Sequence, residues 1–210
     1  MALTSNDSSH SPGALRLFLP LLAAVCLGAL ASSPVAAENL QARTRIVDLM
    51  LCYGKGTDTI AMPGDAQEQL EEGLAIYNSC FTEDARFNLW PPGSDFNVPT
   101  ALSFPGPELW ATAIVAPNVL RGDDGNSIVR DQHVLTNFMV EVKGKTGTLT
   151  AYLNNTRTIY DTDPNSGGQV VDVLVSNGTY TLSVERLRGK WMVTELDLKL
   201  NSQVSYFSAE

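Results

Sequence analysis

An α+β domain, with helices packed against one face of an antiparallel sheet, is the fold class this sequence predicts. Three observations carry that expectation. Over residues 38–81 the apolar residues recur at the three- and four-residue spacing of a helix face. After residue 131 the pattern changes to two-residue alternation in long runs, joined by short turns such as Lys143-Gly144-Lys145 and Arg188-Gly189-Lys190. Helical and extended segments are also segregated along the chain rather than alternating, which argues against a parallel α/β sheet.

The 210 residues suit one domain and an N-terminal extension. Arg16 precedes an apolar run from Leu17 to Ala31, and Val35-Ala36-Ala37 supplies the small residues that a signal peptidase reads. Residues 1–37 are therefore expected to be a secretory signal, cleaved before Glu38, and residues 38–210 a single exported domain, secreted or periplasmic. The run is too short for a comfortable membrane span, so no membrane association is expected after cleavage. The net charge is -9, and the lysines and arginines are scattered. That argues against nucleic acid or an anionic bilayer as a partner and in favour of a small-molecule ligand or a protein.

The elements follow in order. Residues 38–54 read as a helix with Leu40, Val47 and Leu51 on one face and Ile46, Met50 and Tyr53 beside it; Gly54 and Gly56 are expected to end it. Residues 57–64 read as a loop closed by Pro63-Gly64. A second helix over residues 66–81 has Asp65 as N-cap, Glu68 completing a capping box, and a Leu70, Leu74, Tyr77, Phe81 stripe. Residues 84–90 form a short strand stopped by Pro91-Pro92-Gly93. Gly106-Pro107 starts a third helix, expected to end before Pro117. Residues 116–127 are a polar loop; Asp123, Asp124 and Gly125 lack the further spacing of a calcium loop.

The strand over residues 131–142 is the centre of interest. Strict alternation puts His133, Leu135, Asn137 and Met139 on one face and Val134, Thr136, Phe138 and Val140 on the other. An imidazole and an amide among apolar groups is what a pocket-lining strand looks like. Partner strands are expected over 146–160, 170–186 and 191–200, with residues 201–210 a peripheral tail. Asn177-Gly178 reads either as a tight hairpin or as a glycine bulge within one long strand. Of the three cysteines, Cys52 and Cys80 remain after cleavage; they read as a disulfide or as two small buried core residues.

Several of these features together resemble the SnoaL-like group of the NTF2-like superfamily. They are Tyr53 with Asp58 five residues on, Phe81-Thr82-Glu83-Asp84-Ala85 at the end of helix two, Gly106 opening helix three, His133 with Asn137, and Gly178-Thr179-Tyr180, Arg186 and Gly189-Lys190-Trp191 in the last hairpin. The resemblance covers nearly all of the mature chain. It implies a cone: a strongly curved antiparallel sheet wrapped over about three helices, with a pocket inside. It also favours the bulge at Asn177-Gly178, since the group has one bent strand there.

The group includes polyketide cyclases, dehydratases similar to scytalone dehydratase, isomerases and non-catalytic pocket proteins. In the dehydratase-like pattern an aspartate after helix one pairs with histidines on the sheet, and Asp58 and His133 match two of those positions. The resemblance thus implies His133 as acid/base, Asp58 fixing its tautomer, and Tyr53 polarising a carbonyl. Asn137, Trp90, Trp110 and Asn154 are expected to line the ligand site. The second histidine of that pattern would fall near Leu153 or Asn154, where the chain has none. The plainer readings stand beside these: His133 as a hydrogen-bonded strand residue, Tyr53 as a core aromatic, Asp58 as a turn former.

One histidine in the mature chain cannot make a histidine-rich metal site, no cysteine spacing fits zinc, and neither a phosphate loop nor a Gly-x-Ser-x-Gly elbow occurs. No metal or organic cofactor is expected. The function expected is a cofactor-independent lyase or isomerase acting on a small hydrophobic, oxygenated substrate. The alternatives are a non-catalytic ligand-binding protein and a module that dimerises through Val134, Phe138 and Val140 on the sheet.

Overall fold

The computed structural model describes residues 34–99, 102–119, 128–162 and 167–209. The segment read as the core of the signal and the Asp123-Asp124-Gly125 loop lie outside the described residues. By contact the chain falls into two units, Met1–Leu40 and Gln41–Glu210. In the first, residues 34–40 are helical and residues 37–40 are exposed. All that follows concerns the second. Among the described residues no helix is long and apolar enough to cross a membrane.

Helix α1 (Pro34–Ile60) and helix α2 (Ala66–Cys80) are followed by strands β1 (Phe81–Trp90) and β2 (Leu102–Pro105). A third helix, α3, is assembled from Pro107–Trp110, a π-helical turn Ala111–Val115 and Ala116–Val119. Four long strands complete the chain: β3 (Ile128–Lys143), β4 (Thr146–Thr162), β5 (Gln169–Leu187) and β6 (Lys190–Ala209). They form one six-stranded sheet in the order β2-β1-β6-β5-β4-β3. Only β1 and β6 run parallel; the other neighbours are antiparallel. The architecture is the expected α+β one, an open sheet with its core side covered by three helices.

The core explains the helix placement. Ile46, Met50 and Tyr53 of α1 and Tyr77 of α2 are buried with Phe87 of β1, Trp110 of α3, and Leu149, Leu182 and Leu196 of the sheet. The buried stripe of α1 is thus rotated from the one read by periodicity: Leu40 and Leu51 are exposed, while Leu49 is buried. Asp65 caps α2 as expected, its carboxylate accepting from the Glu68 amide at 3.0 Å.

Helix α1 does not stop at Gly54 and Gly56; it runs on to Ile60. The two glycines serve close approach instead of termination. A Cβ at Gly56 would stand 2.5 Å from the Tyr77 ring, and one at Gly73 would stand 2.3 Å from Ile60 Cγ1 and 2.9 Å from the Gly56 carbonyl oxygen. The helices cross backbone to backbone, and the sites therefore accept glycine despite its cost of ~1 kcal/mol in a helix interior. We expect Gly73→Ala to lower stability by about 1–3 kcal/mol, against the helix propensity it adds. The check is a fall in the urea midpoint at unchanged slope. A gain in stability would show that the helices are not locked at this crossing.

The long strands also depart from the sequence reading in informative ways. Thr136 pairs with Tyr152 and Met139 with Thr150, so Asn137 and Phe138 together oppose Ala151, and Asn137 has a φ of 54°. This bulge inverts the alternation. His133 and Leu135 keep the inner face, but beyond the bulge it is Phe138, Val140 and Val142 that pack on the core, while Met139 is exposed. A dimer face built of Val134, Phe138 and Val140 is thereby ruled out, because only Val134 points outward. At Asn177-Gly178 the strand continues, as the resemblance implied. The register shifts so that Asn177 faces Ser202 and Gly178 faces Leu200, leaving Asn201 as the extra residue on β6. Gly178 is required there because a Cβ would meet the Lys199 carbonyl oxygen at 2.6 Å. The tail expected to be peripheral extends β6 to Ala209 and pairs with β5 from Asn177 to Val170. Pro117 lies within α3 instead of ending it; the π turn ahead of it loosens the ladder that its missing N–H would break.

Candidate functional site

Beneath α1 and α3 the curved sheet leaves a cavity of about 250 Å³. Inward-facing residues of β3, β4, β5 and β6 form its floor, and its apolar wall includes Leu89, Ile114, Val115, Leu153, Leu198 and Leu200. His133 enters from β3, where alternation ahead of the bulge points it and Asp131 inward. Its side chain is only 7% exposed.

The extra turns of α1 bring Asp58 to it. Asp58 Oδ1 lies 2.7 Å from His133 Nδ1. A carboxylate only accepts, so the proton sits on Nδ1 and the Nε2 lone pair is left to act as a base. This assignment follows from the hydrogen-bond partner. The pair stands at a partition: His133 lines the cavity and, with Asp58, also lines an open groove on the other side, floored by Leu51, Gly54 and Leu135. Asp58, 36% exposed, is the solvent-facing member.

A second polar group faces the histidine. Asn155 of β4 donates from Nδ2 to Asp131 Oδ1 at 2.7 Å and stands 3.4 Å from both nitrogens of the His133 ring. Arg157 Nη2 meets Asp131 Oδ2 at 3.2 Å, with the Asp131 side chain fully buried. Burying that carboxylate is tolerable only because both its oxygens are partnered. Ser176 and Gln203 complete this polar end, Gln203 Nε2 donating to Ser176 Oγ at 3.1 Å.

Tyr53 closes the helical side. Its ring is 6.5 Å from that of His133 and its hydroxyl 3.3 Å from that of Tyr180. Burial pushes its hydroxyl up to about 12, partly offset by the Tyr180, Thr57 and Trp110 side chains around it. Tyr53 is thus a neutral donor at physiological pH. The Trp110 indole N–H is near enough to favour the ionised form of Tyr53, yet it makes no hydrogen bond of proper geometry. Burial likewise raises Tyr77 and Tyr180 well above the ordinary phenol.

Because these three phenols stay protonated in the fold but ionise near pH 10 when unfolded, they stabilise the native state below pH 10. That contribution is lost as the pH rises toward 12. For Tyr53 alone the two-unit rise corresponds to roughly 2–3 kcal/mol. We expect an alkaline unfolding transition that coincides with a late burst of tyrosinate absorbance. Smooth ionisation of every tyrosine near pH 10 with retained tertiary structure would contradict this burial.

Of the expected site residues, the structure brings together His133, Asp58, Tyr53 and Trp110. It does not bring in the other three. Asn137 sits exposed in the bulge, which turns it away from the cavity. Asn154 faces outward and donates to Asn177 Oδ1 at 3.0 Å; the inward positions of β4 are Leu153 and Asn155. Trp90 is buried outside the cavity, its indole donating to the Val98 carbonyl and its ring lying under Lys199. Residues missed by sequence reasoning are Asp131, Asn155, Arg157, Ser176 and Gln203. Two-residue alternation counted back from His133 reaches Asp131, and alternation from Leu153 reaches Asn155 and Arg157. Cys52 and Cys80 are joined in a disulfide, with Cα atoms 6.6 Å apart. Among the described residues no group of three histidine, cysteine, aspartate or glutamate side chains is placed to hold a metal ion.

Comparison with known proteins agrees with this geometry. The profile of the SnoaL-like domain matches residues 38–197. The fold is similar to that of a Novosphingobium aromaticivorans protein provisionally assigned as a scytalone dehydratase. That match has 15% identity, covers 81% of this chain and 91% of that one, and has a TM-score of 0.53. It is also similar to the Kfla4162 protein of Kribbella flavida, at 14% identity over 80% and 95% of the two chains with a TM-score of 0.52. A third neighbour is the hexachlorocyclohexane dehydrochlorinase LinA-type3 of Novosphingobium barchaimii, at 18% identity over 83% and 94%, TM-score 0.50. At such identities the likeness establishes the fold. No curated protein sequence matches the chain.

Proposed function

The chain belongs to the SnoaL-like domain family, and from that premise we propose that it is a cofactor-independent lyase in which His133 is the catalytic base. The observation that carries this reading is the 2.7 Å link from His133 Nδ1 to Asp58 Oδ1 at the wall of an enclosed, mostly apolar cavity. A lone strand histidine held for structure alone has no need of a carboxylate behind it and a cavity in front of it. Neighbours of the same fold described as a dehydratase and a dehydrochlorinase make elimination the natural reaction class.

The step balances without an external reagent. His133 Nε2 takes a proton from carbon beside an electron-withdrawing group. The C–H electron pair becomes the new C=C bond, and the leaving group departs from the adjacent carbon with its own bonding pair. Asp58 stabilises the imidazolium so formed. Where hydroxide leaves, the same imidazolium returns the proton and water departs. Tyr53, protonated through the whole working range, is placed to donate to a substrate carbonyl oxygen as negative charge develops there.

The test is elimination of water from a small cyclic β-hydroxyketone, followed by enone absorbance. Asp58→Asn keeps the size and a hydrogen bond but loses the charge that holds the tautomer. It is expected to lower turnover by about 10–100-fold. An Asp58→Asn protein as active as wild type would remove the dyad from the mechanism.

A further inference from the structure

The proposed reaction leaves two polar atoms of the cavity unused. Trp110 and Arg157 both line it, and the indole Nε1 of Trp110 and the guanidinium Nε of Arg157 are both buried without a hydrogen-bond partner. Two further unpartnered buried atoms among the described residues, Gln69 Oε1 and Thr82 Oγ1, belong to residues that do not line the cavity. An unpaired buried donor is costly, so two of them on one cavity need an explanation.

Their chemistry narrows the answer. Indole and guanidinium nitrogens donate and never accept. A group that pairs with them must present lone pairs. The charge at this end of the cavity is already balanced, since the Arg157 guanidinium is spent on the buried carboxylate of Asp131 through Nη2 at 3.2 Å. A ligand anion would be drawn to Arg157 but would face Asp131 beside it. A neutral oxygen meets no such opposition.

The two donors also come from different walls, Trp110 from α3 and Arg157 from β4. Between them the lining is aliphatic and phenolic. We infer that the ligand of this cavity is an uncharged, apolar ring compound carrying two acceptor oxygens, one read by Trp110 Nε1 and the other by Arg157 Nε. This deepens the lyase reading and rests on it for the claim that the ligand is the substrate. It assigns Trp110 and Arg157 as specificity-determining residues and disfavours substrates without acceptors, such as plain or halogenated hydrocarbons.

Three bicyclic probes of similar size, none with a leaving group, separate the possibilities: 1,4-naphthoquinone with two acceptors, 1-tetralone with one, and tetralin with none. By calorimetry, affinity is expected to rise about fivefold per acceptor, the effect of a net hydrogen bond. In the wild type, the indole N–H resonance of Trp110 is expected to move downfield with the quinone and not with tetralin. The Trp90 resonance, whose N–H is already bonded to Val98, is expected to stay in place. Trp110→Phe and Arg157→Lys each remove one donor while keeping ring packing or the charge opposite Asp131. Each is expected to cost the quinone about fivefold and tetralin nothing.

Equal affinity for the three probes, as when solvent water alone satisfies both donors, overturns the inference. So does an unmoved Trp110 resonance at saturation, which needs no variant to fold. The two readings fail separately: acceptor-graded binding without any elimination activity sinks the lyase proposal and leaves this one standing.

Discussion

His133→Gln is expected to lose roughly 10²–10⁴-fold in turnover while ligand affinity changes little. Glutamine fills much of the imidazole volume and its amide can still donate to Asp58, so the wall between cavity and groove stays closed. It has no lone pair basic enough to take a proton from carbon. The loss therefore falls on kcat, as it must when a group acts only in the transition state. Calorimetric affinity for a non-reacting probe reports whether the cavity survived the change. A variant that binds normally and retains activity within tenfold of wild type would sink the assignment of His133 as base. Loss of binding together with activity would instead identify it as a ligand contact, since its ring also packs edge-on against Tyr53.

The second large effect is on stability. Removing the Cys52–Cys80 disulfide by the double change Cys52→Ala/Cys80→Ala is expected to cost about 3–4 kcal/mol. The bond closes a loop with a sequence separation of 28 residues, and chain-entropy arguments give that magnitude for such a loop. In a domain of this size that is a fall in Tm of about 10 °C. Cys52 immediately precedes Tyr53 and Cys80 immediately precedes Phe81, so the bond clamps the site-bearing stretch of α1 to the end of α2. Thermal unfolding with and without a thiol reductant makes the measurement directly. A wild-type protein whose midpoint ignores reductant would show that the link does not stabilise the fold. The bond also fits the exported, oxidising setting that we propose from the N-terminal segment.

Most of the architecture was legible because it depends on local periodicity. The switch from a 3.6- to a 2-residue period located the helices and the four long strands, and Asp65 with Glu68 fixed the start of α2. What failed did so where long-range contact overrides a local signal. Gly54 and Gly56 have the chemistry of helix terminators, but Tyr77, Gly73 and Leu135 press against that turn and leave no room for side chains. The helix continues because packing there outweighs propensity. The same extension carries Asp58 to His133, which a loop over residues 57–64 could not have placed.

The candidate site divides along the same line. The sequence by itself determined the α+β class, the pocket-lining strand, its single histidine, and an aspartate and a tyrosine at the right distance along the chain. These rest on composition and spacing, which a sequence records completely. Only the tertiary structure decided which neighbours meet that histidine. One bulge at Asn137 reversed the facing of every later residue on β3, and the shift at Asn177-Gly178 drew the expected tail into the sheet and Gln203 into the cavity. Registers between strands are set by cross-strand packing and by where a backbone can approach. No local pattern announces an inserted residue, so Asn137 and Asn154 turned away while Asp131, Asn155 and Arg157 turned inward.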